Sequence, residues 1–361
     1  MLYELLKINY TYKIGIESLI VAALVFILTI IAGKLIIPVL AAKKMNQPIN
    51  SYVAEHASKS GTPTMGGICF IIASLVVMLL WVLLESLGVI GNNGRVGYLV
   101  PMALTLCLGV ANAMIGFIDD YKKLVKKENE GLSEAQKLIL QIIVAAAYLC
   151  MMGMTQNLST LLRIPFSNIR LELGFFAYPL YLLVIVGFVN STNITDGLDG
   201  LASSVGVASS TGIILMGIMS ASIFFTFEPE GERYTAVVAA SLLGALLGFL
   251  VFNHYPAKVF MGDTGSLYIG GIIMGCAIAS GELFAVIIMS FVYVLEMLSS
   301  LLQKMYFKFT RIMSGTGKRI FKKAPFHHHL QMCGWSEIKI VTVFFLVSAI
   351  FTLIGVLGAM K

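Results

Sequence analysis

Long apolar segments recur along this sequence, and they constrain its fold more than any other feature. A helix needs about 20 apolar residues to cross the roughly 30 Å hydrocarbon core of a bilayer. Inside hydrocarbon, backbone N–H and C=O groups must be satisfied within the element itself, which restricts spanning structures to helices and closed barrels. Together with a 58% hydrophobic composition, these segments predict an all-α, polytopic membrane protein, with one integral membrane domain over residues 1–361.

Ten transmembrane helices are predicted from these segments. They lie at 16–40, 64–85, 97–118, 134–153, 175–190, 198–222, 234–252, 265–280, 283–306 and 337–359. No small-residue cleavage site precedes the first segment, which is therefore expected to remain in the protein. Alternating residues around Ser167 and Asn168 predict a short hairpin near 161–173. The five cysteines contain no C-x-x-C pair, so neither a disulfide framework nor a zinc site is expected.

Positive charge is distributed unequally among the loops. Most of the 25 lysines and arginines lie in the loops after the first, third, fifth, seventh and ninth helices. Loops rich in lysine and arginine face the cytoplasm. Both termini, and the hairpin, are therefore predicted to face outward. The unusual polar residues concentrate in the same five loops, which predicts an active site at the cytoplasmic face.

The densest polar stretch is Asn190-Ser-Thr-Asn-Ile-Thr-Asp196-Gly-Leu-Asp199-Gly200, between two apolar segments. Acidic residues at membrane depth are costly unless they meet a metal, water or a partner, so they mark candidate functional sites. The residues alone leave open whether this stretch holds a metal ion or another ligand.

Two adjacent carboxylates, Asp119 and Asp120, end the third predicted helix just before Lys122 and Lys123. Neighbouring helical positions diverge by about 100°, so one carboxylate can serve a ligand while the other pairs with a lysine. A solvated helix end with offset charges is the alternative. The D-D-x-x-D pattern of prenyl-diphosphate enzymes is absent, because Lys123 occupies the place of the third aspartate.

Asp263 lies between Gly262 and Gly265 at the start of the eighth predicted helix. Small residues on both sides let a carboxylate reach a hard cation, so Asp263 is the predicted metal ligand. The alternative is that Asp263 caps the helix, with Thr264 or Ser266 competing for that position.

The stretch from Lys59 to Gly67 is rich in glycine and precedes the second helix. Thr64 is placed to cap that helix, whose N-terminus would favour a phosphate. The alternative is an ordinary capped turn followed by close helix packing on Gly66 and Gly67. The stretch is not a P-loop, because the required G-K-[ST] ending is missing.

Three consecutive histidines, His327, His328 and His329, follow a cluster of basic residues. They lack the i, i+4 spacing of a helical zinc pair, and they suit phosphate recognition better. Contact with lipid headgroups is the alternative. Glu296, within the ninth helix, is expected to be a hydrogen-bonded residue outside the site.

These motifs together resemble the polyprenyl-phosphate N-acetylhexosamine-1-phosphate transferases. The matching segments are Asn190 to Ala202, Asp119-Asp120, Phe260 to Ser266, and Lys59 to Gly67. Within that superfamily, Ala324-Pro-Phe-His-His-His329 resembles the bacterial branch that transfers phospho-N-acetylmuramoyl-pentapeptide. The resemblance implies a bacterial plasma-membrane enzyme that uses Mg²⁺, UDP-MurNAc-pentapeptide and undecaprenyl phosphate, and that produces lipid I and UMP.

The resemblance also implies roles for individual residues. Asp263 would ligate Mg²⁺, Asp119 and Asp120 would supply acid/base or ion-organising carboxylates, and Asn190 and Asp196 would line the nucleotide pocket. Contacts to the nucleotide sugar or its phosphates would come from Lys59, Thr64, Lys123, His327, His328 and His329.

Several questions stay open at the level of sequence. The transfer could be a single displacement or proceed through a covalent intermediate. A sister enzyme that transfers GlcNAc-1-phosphate and a secondary transporter are the rival functions; carboxylates at helix ends on one face favour an interfacial enzyme. Membrane lipid is an expected partner and nucleic acid is not. The oligomeric state, a homodimer included, is undetermined.

Overall fold

The computed structural model of the chain describes residues 2–43, 61–90, 99–126, 131–223 and 230–360. The described chain is almost entirely helical, which confirms the predicted all-α class. Its elements, in chain order, are α1 (Leu2–Ala42), α2 (Gly67–Ser86), α3 (Leu99–Lys126), α4 (Glu134–Met154), β1 (Leu161–Arg163), β2 (Arg170–Glu172), a single 3₁₀ turn (Gly174–Phe176), α5 (Ala177–Thr195), α6 (Leu201–Ile223), α7 (Glu230–Asn253), α8 (Gly262–Ala279), α9 (Leu283–Met289), α10 (Phe291–Ser314), α11 (Phe326–Met332) and α12 (Glu337–Ala359).

The ten predicted membrane spans are matched only in part by the described helices. Among the described residues, eight helices are long and apolar enough to cross a membrane, and α9 and α10 make a ninth candidate if the bent pair is one span. The ten-span count is therefore not confirmed. The ninth predicted helix is also not continuous, because α9 and α10 meet at Ser290 with a bend of 81°.

The predicted span that this count omits is α8. Its first turn carries Asp263 and Thr264, and its five glycines lower its mean hydropathy. Nearly every residue from Gly262 to Ile278 is buried, so neighbouring helices rather than lipid surround most of α8. A helix enclosed in this way does not need the hydropathy of a lipid-facing span.

Glycines bring α2, α3 and α8 into close contact. A Cβ atom on Gly271 would lie 2.8 Å from the Cα of Gly109, and one on Gly116 would collide with the backbone of Asp263. Small residues at helix contacts let backbones approach closely. Because α3 and α8 run antiparallel, this contact places the C-terminal end of α3 beside the N-terminal end of α8. We call this end of the bundle the site end.

Neither α2 nor α8 is capped as the sequence suggests. Gly66 occupies the N-cap position of α2 without any side-chain hydrogen bond, so the prediction that Thr64 caps this helix is wrong. Met261 occupies the N-cap position of α8, and Asp263 lies within its first turn. The capping alternative for Asp263 is therefore wrong as well.

The short hairpin predicted near 161–173 is confirmed. Strands β1 and β2 pair antiparallel, with Leu162 opposite Leu171. Arg163 anchors the hairpin to the turn between α8 and α9, because its Nη1 atom lies 2.7 Å from a carboxylate oxygen of Glu282.

A buried ion cluster joins α1, α2 and α7 far from the site end. Arg233 is fully buried and donates to both oxygens of Glu17, at 2.5 and 2.9 Å, and to both oxygens of Glu85, at 3.0 Å. The hydroxyl of Tyr234 donates to Glu85 at 2.9 Å. Arg233 precedes Asn253, at the site end of α7, by a helical rise of about 30 Å. Such paired charges lock helices together, because unpaired partners would be costly when buried.

Candidate active site

Three carboxylates converge at the site end. Ligand oxygens of Asp119, Asp120 and Asp263 all lie within 4.8 Å of one another, and the first two side chains are buried. Asp119 and Asp120 come from the last turns of α3, whereas Asp263 comes from the first turn of α8. The glycine contacts between these helices are what allow carboxylates 143 or more positions apart in sequence to share one small volume.

Asp120 binds the N-terminus of α8. Its oxygens accept hydrogen bonds from the backbone N–H groups of Asp263 at 3.2 Å and Thr264 at 2.9 Å, and from the Thr264 hydroxyl at 2.7 Å. A carboxylate at this position is stabilised by the free N–H groups and the positive end of the helix dipole. Asp120 therefore fixes the turn that carries Asp263, and its two oxygens are already engaged.

Asp119 and Asp263 share two lysines. Lys123 lies 2.7 Å from Asp119 and 3.1 Å from Asp263, and Lys137 lies 2.6 Å from Asp263 and 3.5 Å from Asp119. The backbone N–H of Leu132 also donates to Asp119 at 2.6 Å. This division of roles, with one aspartate paired to lysine and the other bound elsewhere, matches the divergence expected of adjacent helical positions.

Two side chains in this cluster are absent from the residues predicted for the site. One is Lys137, which follows the capping box of Ser133 and Gln136 at the start of α4. The other is Asn193, whose amide donates to Asp263 at 2.7 Å and to Ser266 at 3.0 Å. The sequence gives only a weak indication of either residue: Lys137 is a basic residue at an inward helix start, and Asn193 is one of several amides in the densest polar stretch.

The donor set of the cluster fits a hard divalent cation. Carboxylate oxygens and a neighbouring amide are the groups that Mg²⁺ accepts, and no sulfur or imidazole lies among the three clustered side chains. Two ammonium groups now balance the charge of Asp119 and Asp263, which shows that this volume is built around positive charge. One oxygen of Asp263 accepts from Asn193, and the other contacts both lysines.

The other predicted contacts occupy different positions around the cluster. Asn190 pairs with Gln141 through an amide hydrogen bond of 2.7 Å. Thr64 is buried, and its hydroxyl has no hydrogen-bond partner among the described residues. Lys59 lies outside the described residues.

The turn after α5 carries Asp196 and is held in place by polar contacts. Asp199 accepts a hydrogen bond from the backbone N–H of Ala257 at 2.9 Å, and the Gly200 N–H donates to Asn253 at 3.1 Å. These contacts tie the turn to the loop that leads into α8. Burial, and then the nearby carboxylates of Asp263, Asp120 and Asp199, raise the pKa of Asp196 well above its ordinary value.

Substitution Asp196→Asn should increase the thermal stability of the metal-free protein. Because the pKa is raised on folding, the folded state holds the proton more tightly, and wild-type stability falls as pH rises from the unfolded pKa of about 4 towards the folded pKa. The asparagine variant has no titrating group at this position, so its stability does not fall with pH for this reason. Thermal unfolding in EDTA should show an advantage for the variant that grows from pH 5 to pH 8; an advantage that shrinks over this range would contradict the assignment.

A large cavity lies next to the cluster. It encloses about 970 Å³ and combines basic with apolar side chains. Its lining includes His328, Ile194, Phe307, Met332, Lys304, Arg319, Lys322 and Lys323. Ile194 lines the cavity while its neighbour Asn193 contacts Asp263, so the carboxylates and the cavity lie at the same end of α5, towards different faces of the helix.

The three histidines of α11 have different surroundings. His328 lines the cavity and lies 2.7 Å from Gln331. His329 packs against Phe321 and Phe326, with ring centroids 5.5 and 5.7 Å away. His327 is buried against Glu296, which confirms that Glu296 is hydrogen-bonded.

Comparison with known proteins places these features in a family. Residues 102–281 match the family model described as glycosyl transferase family 4, and residues 59–71 match signature 1 of phospho-N-acetylmuramoyl-pentapeptide-transferase. The chain is 40% identical over 331 residues to the phospho-N-acetylmuramoyl-pentapeptide-transferase of Clostridium botulinum (strain Alaska E43 / Type E3), covering 91% of this chain and 93% of that relative.

Two further relatives carry the same name, those of Bacillus thuringiensis (strain Al Hakam) and Bacillus cereus (strain AH187). Each is 38% identical over 339 residues, or 94% of this chain and 96% of the relative. The similarity spans the helices that carry the three carboxylates, the polar turn after α5 and the cavity. A match of this extent and identity establishes that the chain belongs to the phospho-N-acetylmuramoyl-pentapeptide-transferase family of membrane enzymes.

Proposed function

We propose that the protein transfers phospho-MurNAc-pentapeptide from UDP-MurNAc-pentapeptide to undecaprenyl phosphate, in a Mg²⁺-dependent reaction that releases UMP and forms lipid I for peptidoglycan synthesis. The observation that carries the proposal is the shared site of Asp119, Asp263, Lys123 and Lys137 beside a basic cavity. The names of the relatives support phospho-MurNAc-pentapeptide as the transferred group, and the site has the composition that phosphoryl transfer requires.

Asp263 and Asp119 are the residues that would hold the metal ion. When bound, Mg²⁺ offsets the negative charge of the diphosphate. Asp120 acts through its three hydrogen bonds to the first turn of α8, which hold Asp263 in position. Asn193 orients the opposite oxygen of Asp263.

Lys123 and Lys137 supply the remaining positive charge. Phosphoryl transfer needs little covalent help from a protein and depends on positioning and charge stabilisation. Both ammonium groups contact the two carboxylates, and with an ion held by Asp263 and Asp119 they would be available to bind the phosphate oxygens of the donor. The two lysines would thus orient the diphosphate relative to the acceptor.

The nucleotide sugar would extend from the carboxylates into the cavity. Asn190 and Asp196 border the cluster on the α5 side, and Thr64 contributes a buried hydroxyl without a partner in the described chain. His328 lines the basic wall of the cavity, where it would contact phosphate or sugar groups, and His329, which packs beside it on α11, retains its proposed role as a substrate contact. Lys59 retains its proposed role as a substrate contact.

The transfer is proposed to be a single displacement. The acceptor phosphate is itself a nucleophile at neutral pH, so the transfer does not require a strong base from the protein. Incubation with UDP-MurNAc-pentapeptide alone should therefore leave the mass of the intact protein unchanged. A phosphosugar adduct on the protein, found by intact mass spectrometry, would replace this route with a covalent one.

The site end is proposed to face the cytoplasm of a bacterial cell, with both termini outward. A water-soluble UDP-linked donor and the basic residues around the cavity support this orientation. Cys333, exposed after α11, reports on it. A membrane-impermeant maleimide should label Cys333 in inverted vesicles and leave it unlabelled in intact spheroplasts; the reverse pattern would overturn the orientation. A Cys333→Ser variant identifies the labelled site.

Donor choice tests the proposed function. Purified protein, undecaprenyl phosphate and Mg²⁺ are incubated with either UDP-MurNAc-pentapeptide or UDP-GlcNAc, and UMP is measured. We expect UMP only from the first donor. Release from UDP-GlcNAc alone would indicate the sister transferase, and uptake of a solute into sealed vesicles without any lipid acceptor would indicate a transporter.

A further inference from the structure

Glu296 and His327 form a fully buried pair between α10 and α11. Glu296 is 0% exposed and His327 is 1% exposed. One carboxylate oxygen of Glu296 lies 2.8 Å from the Nδ1 atom of His327, and the other accepts the backbone N–H of the same residue at 3.0 Å. Both oxygens of a buried glutamate therefore serve a single histidine.

The other face of the His327 ring touches the turn that carries Asp196. The Nε2 atom is buried and has no hydrogen-bond partner among the described residues. A Cβ atom added to Gly197 would collide with Nε2. His327 does not line the cavity, whereas His328 does. The ring therefore connects α10 to the polar turn rather than to the space that a ligand would fill.

We propose that Glu296 and His327 are positioning residues that set the place of the Asp196–Gly197 turn relative to the three carboxylates. Glu296 orients the His327 ring, and the Nε2 edge of the ring packs against Gly197 of the turn. This inference rests on the proposed function. It assigns His327 to positioning the turn that would bind the donor, and it leaves direct contact with the donor to His328.

The contact assigns Nδ1 as the donor nitrogen of the His327 ring. A carboxylate that accepts from one ring nitrogen of a histidine sets the tautomer and the orientation of the ring. The other titratable groups around the pair are Tyr293 one turn earlier on α10, whose hydroxyl bonds the carbonyl of Ala202 at 2.6 Å, His328 on α11, and Asp196 on the turn.

Glycine is required at position 197 because of this contact. Gly197 does not need a left-handed backbone, unlike Gly200 with a φ of 77°, so its role is steric. Substitution Gly197→Ala would disturb the contact between the turn and Nε2 of His327, whereas a substitution of Glu296 would disturb the contact at Nδ1. The two sides of the His327 ring can therefore be tested independently.

The first test compares Glu296→Gln and Gly197→Ala with wild-type protein in the UMP-release assay. Loss of a supporting partner of this kind typically lowers affinity or activity by about 10-fold to 100-fold. We expect both variants to raise the KM for UDP-MurNAc-pentapeptide by roughly tenfold, with the KM for undecaprenyl phosphate within about twofold of wild type. Glu282→Gln, a carboxylate bonded to Arg163 at the other end of the bundle, is the matched control and should change neither KM.

An unchanged donor KM in both variants would overturn the inference. Equal changes in both KM values together with a large fall in thermal stability would also overturn it, because that pattern is expected of a merely structural residue.

The second test does not depend on the reaction. Protein with ¹⁵N-labelled imidazole rings is studied by NMR, and the His327 signal among the five histidines is assigned by its loss in His327→Asn. We expect Nδ1 of His327 to be protonated in wild type and the signal to change in Glu296→Gln. An unprotonated Nδ1 would refute the pair. If wild type released no UMP, the proposed function would fail while this result still stood.

Discussion

Substitution Asp263→Ala should reduce UMP release by about a thousandfold or more, while the protein still inserts and purifies. A metal ion contributes several kcal/mol of charge stabilisation in phosphoryl transfer, and each 1.4 kcal/mol corresponds to a factor of ten in rate. Asp263 is the carboxylate on which Asn193, Lys123 and Lys137 converge. Its loss would remove the proposed metal ligand, and Lys123 and Lys137 would then pair with Asp119 alone. Initial rates at saturating Mg²⁺ measure the effect.

Glu172→Gln is the matched control for this prediction, because Glu172 is an exposed acidic residue of the hairpin, away from the carboxylate cluster. It should retain wild-type activity. Thermal unfolding of both variants separates loss of chemistry from loss of fold. Near-full activity of Asp263→Ala would remove Asp263 from the site.

Substitution Arg233→Ala should have the largest effect on stability. Removing one partner of a buried ion cluster leaves uncompensated charge and typically costs about 3–5 kcal/mol. Here two carboxylates, Glu17 and Glu85, would be left without the guanidinium that now bonds both. The measurement is denaturant unfolding of the detergent-solubilised protein.

Two further variants identify the cause of that loss. The triple variant Glu17→Gln, Glu85→Gln, Arg233→Met should recover much of the stability, because no charge is left buried. Arg163→Ala breaks a pair in which only Arg163 is half-exposed and Glu282 is buried, and the loss should be smaller than that of Arg233→Ala because one carboxylate, not two, loses its partner. If Arg233→Ala were as mild as Arg163→Ala, the cluster would not be what joins α1, α2 and α7.

Features encoded by local pattern were predictable from the sequence. The all-helical class follows from the length of the apolar segments, and the hairpin follows from alternation around Ser167 and Asn168. That Glu296 must be satisfied follows from the cost of a buried acid, although its partner His327 lies 31 positions away and no spacing rule identifies it.

Features that depend on tertiary contacts were not predictable. The predicted span α8 owes its burial to glycine contacts with α2 and α3, so its own hydropathy is a poor guide to its position. Thr64 looked like a helix cap because only the residue type and spacing were visible, yet α2 begins at Gly67. The sequence on either side of the break at Ser290 contains no proline or glycine that would predict it.

The site itself was only partly accessible to sequence reasoning. Asp119, Asp120 and Asp263 stand out because charges are rare in such a chain. Lys137 and Asn193 did not, since one resembles an ordinary basic helix start and the other is one of several amides. The contacts of both depend on how α4 and α5 pack around α8, which no local pattern reports.

The central claim is that the carboxylate cluster performs metal-dependent transfer between a UDP-linked donor and a lipid phosphate. The most direct measurement is UMP release by purified protein from UDP-MurNAc-pentapeptide, with undecaprenyl phosphate and Mg²⁺ each present or omitted. The account predicts release only when both are present, its loss in EDTA and its return when Mg²⁺ is restored. Undiminished release in EDTA, or equal release without the lipid, would contradict it.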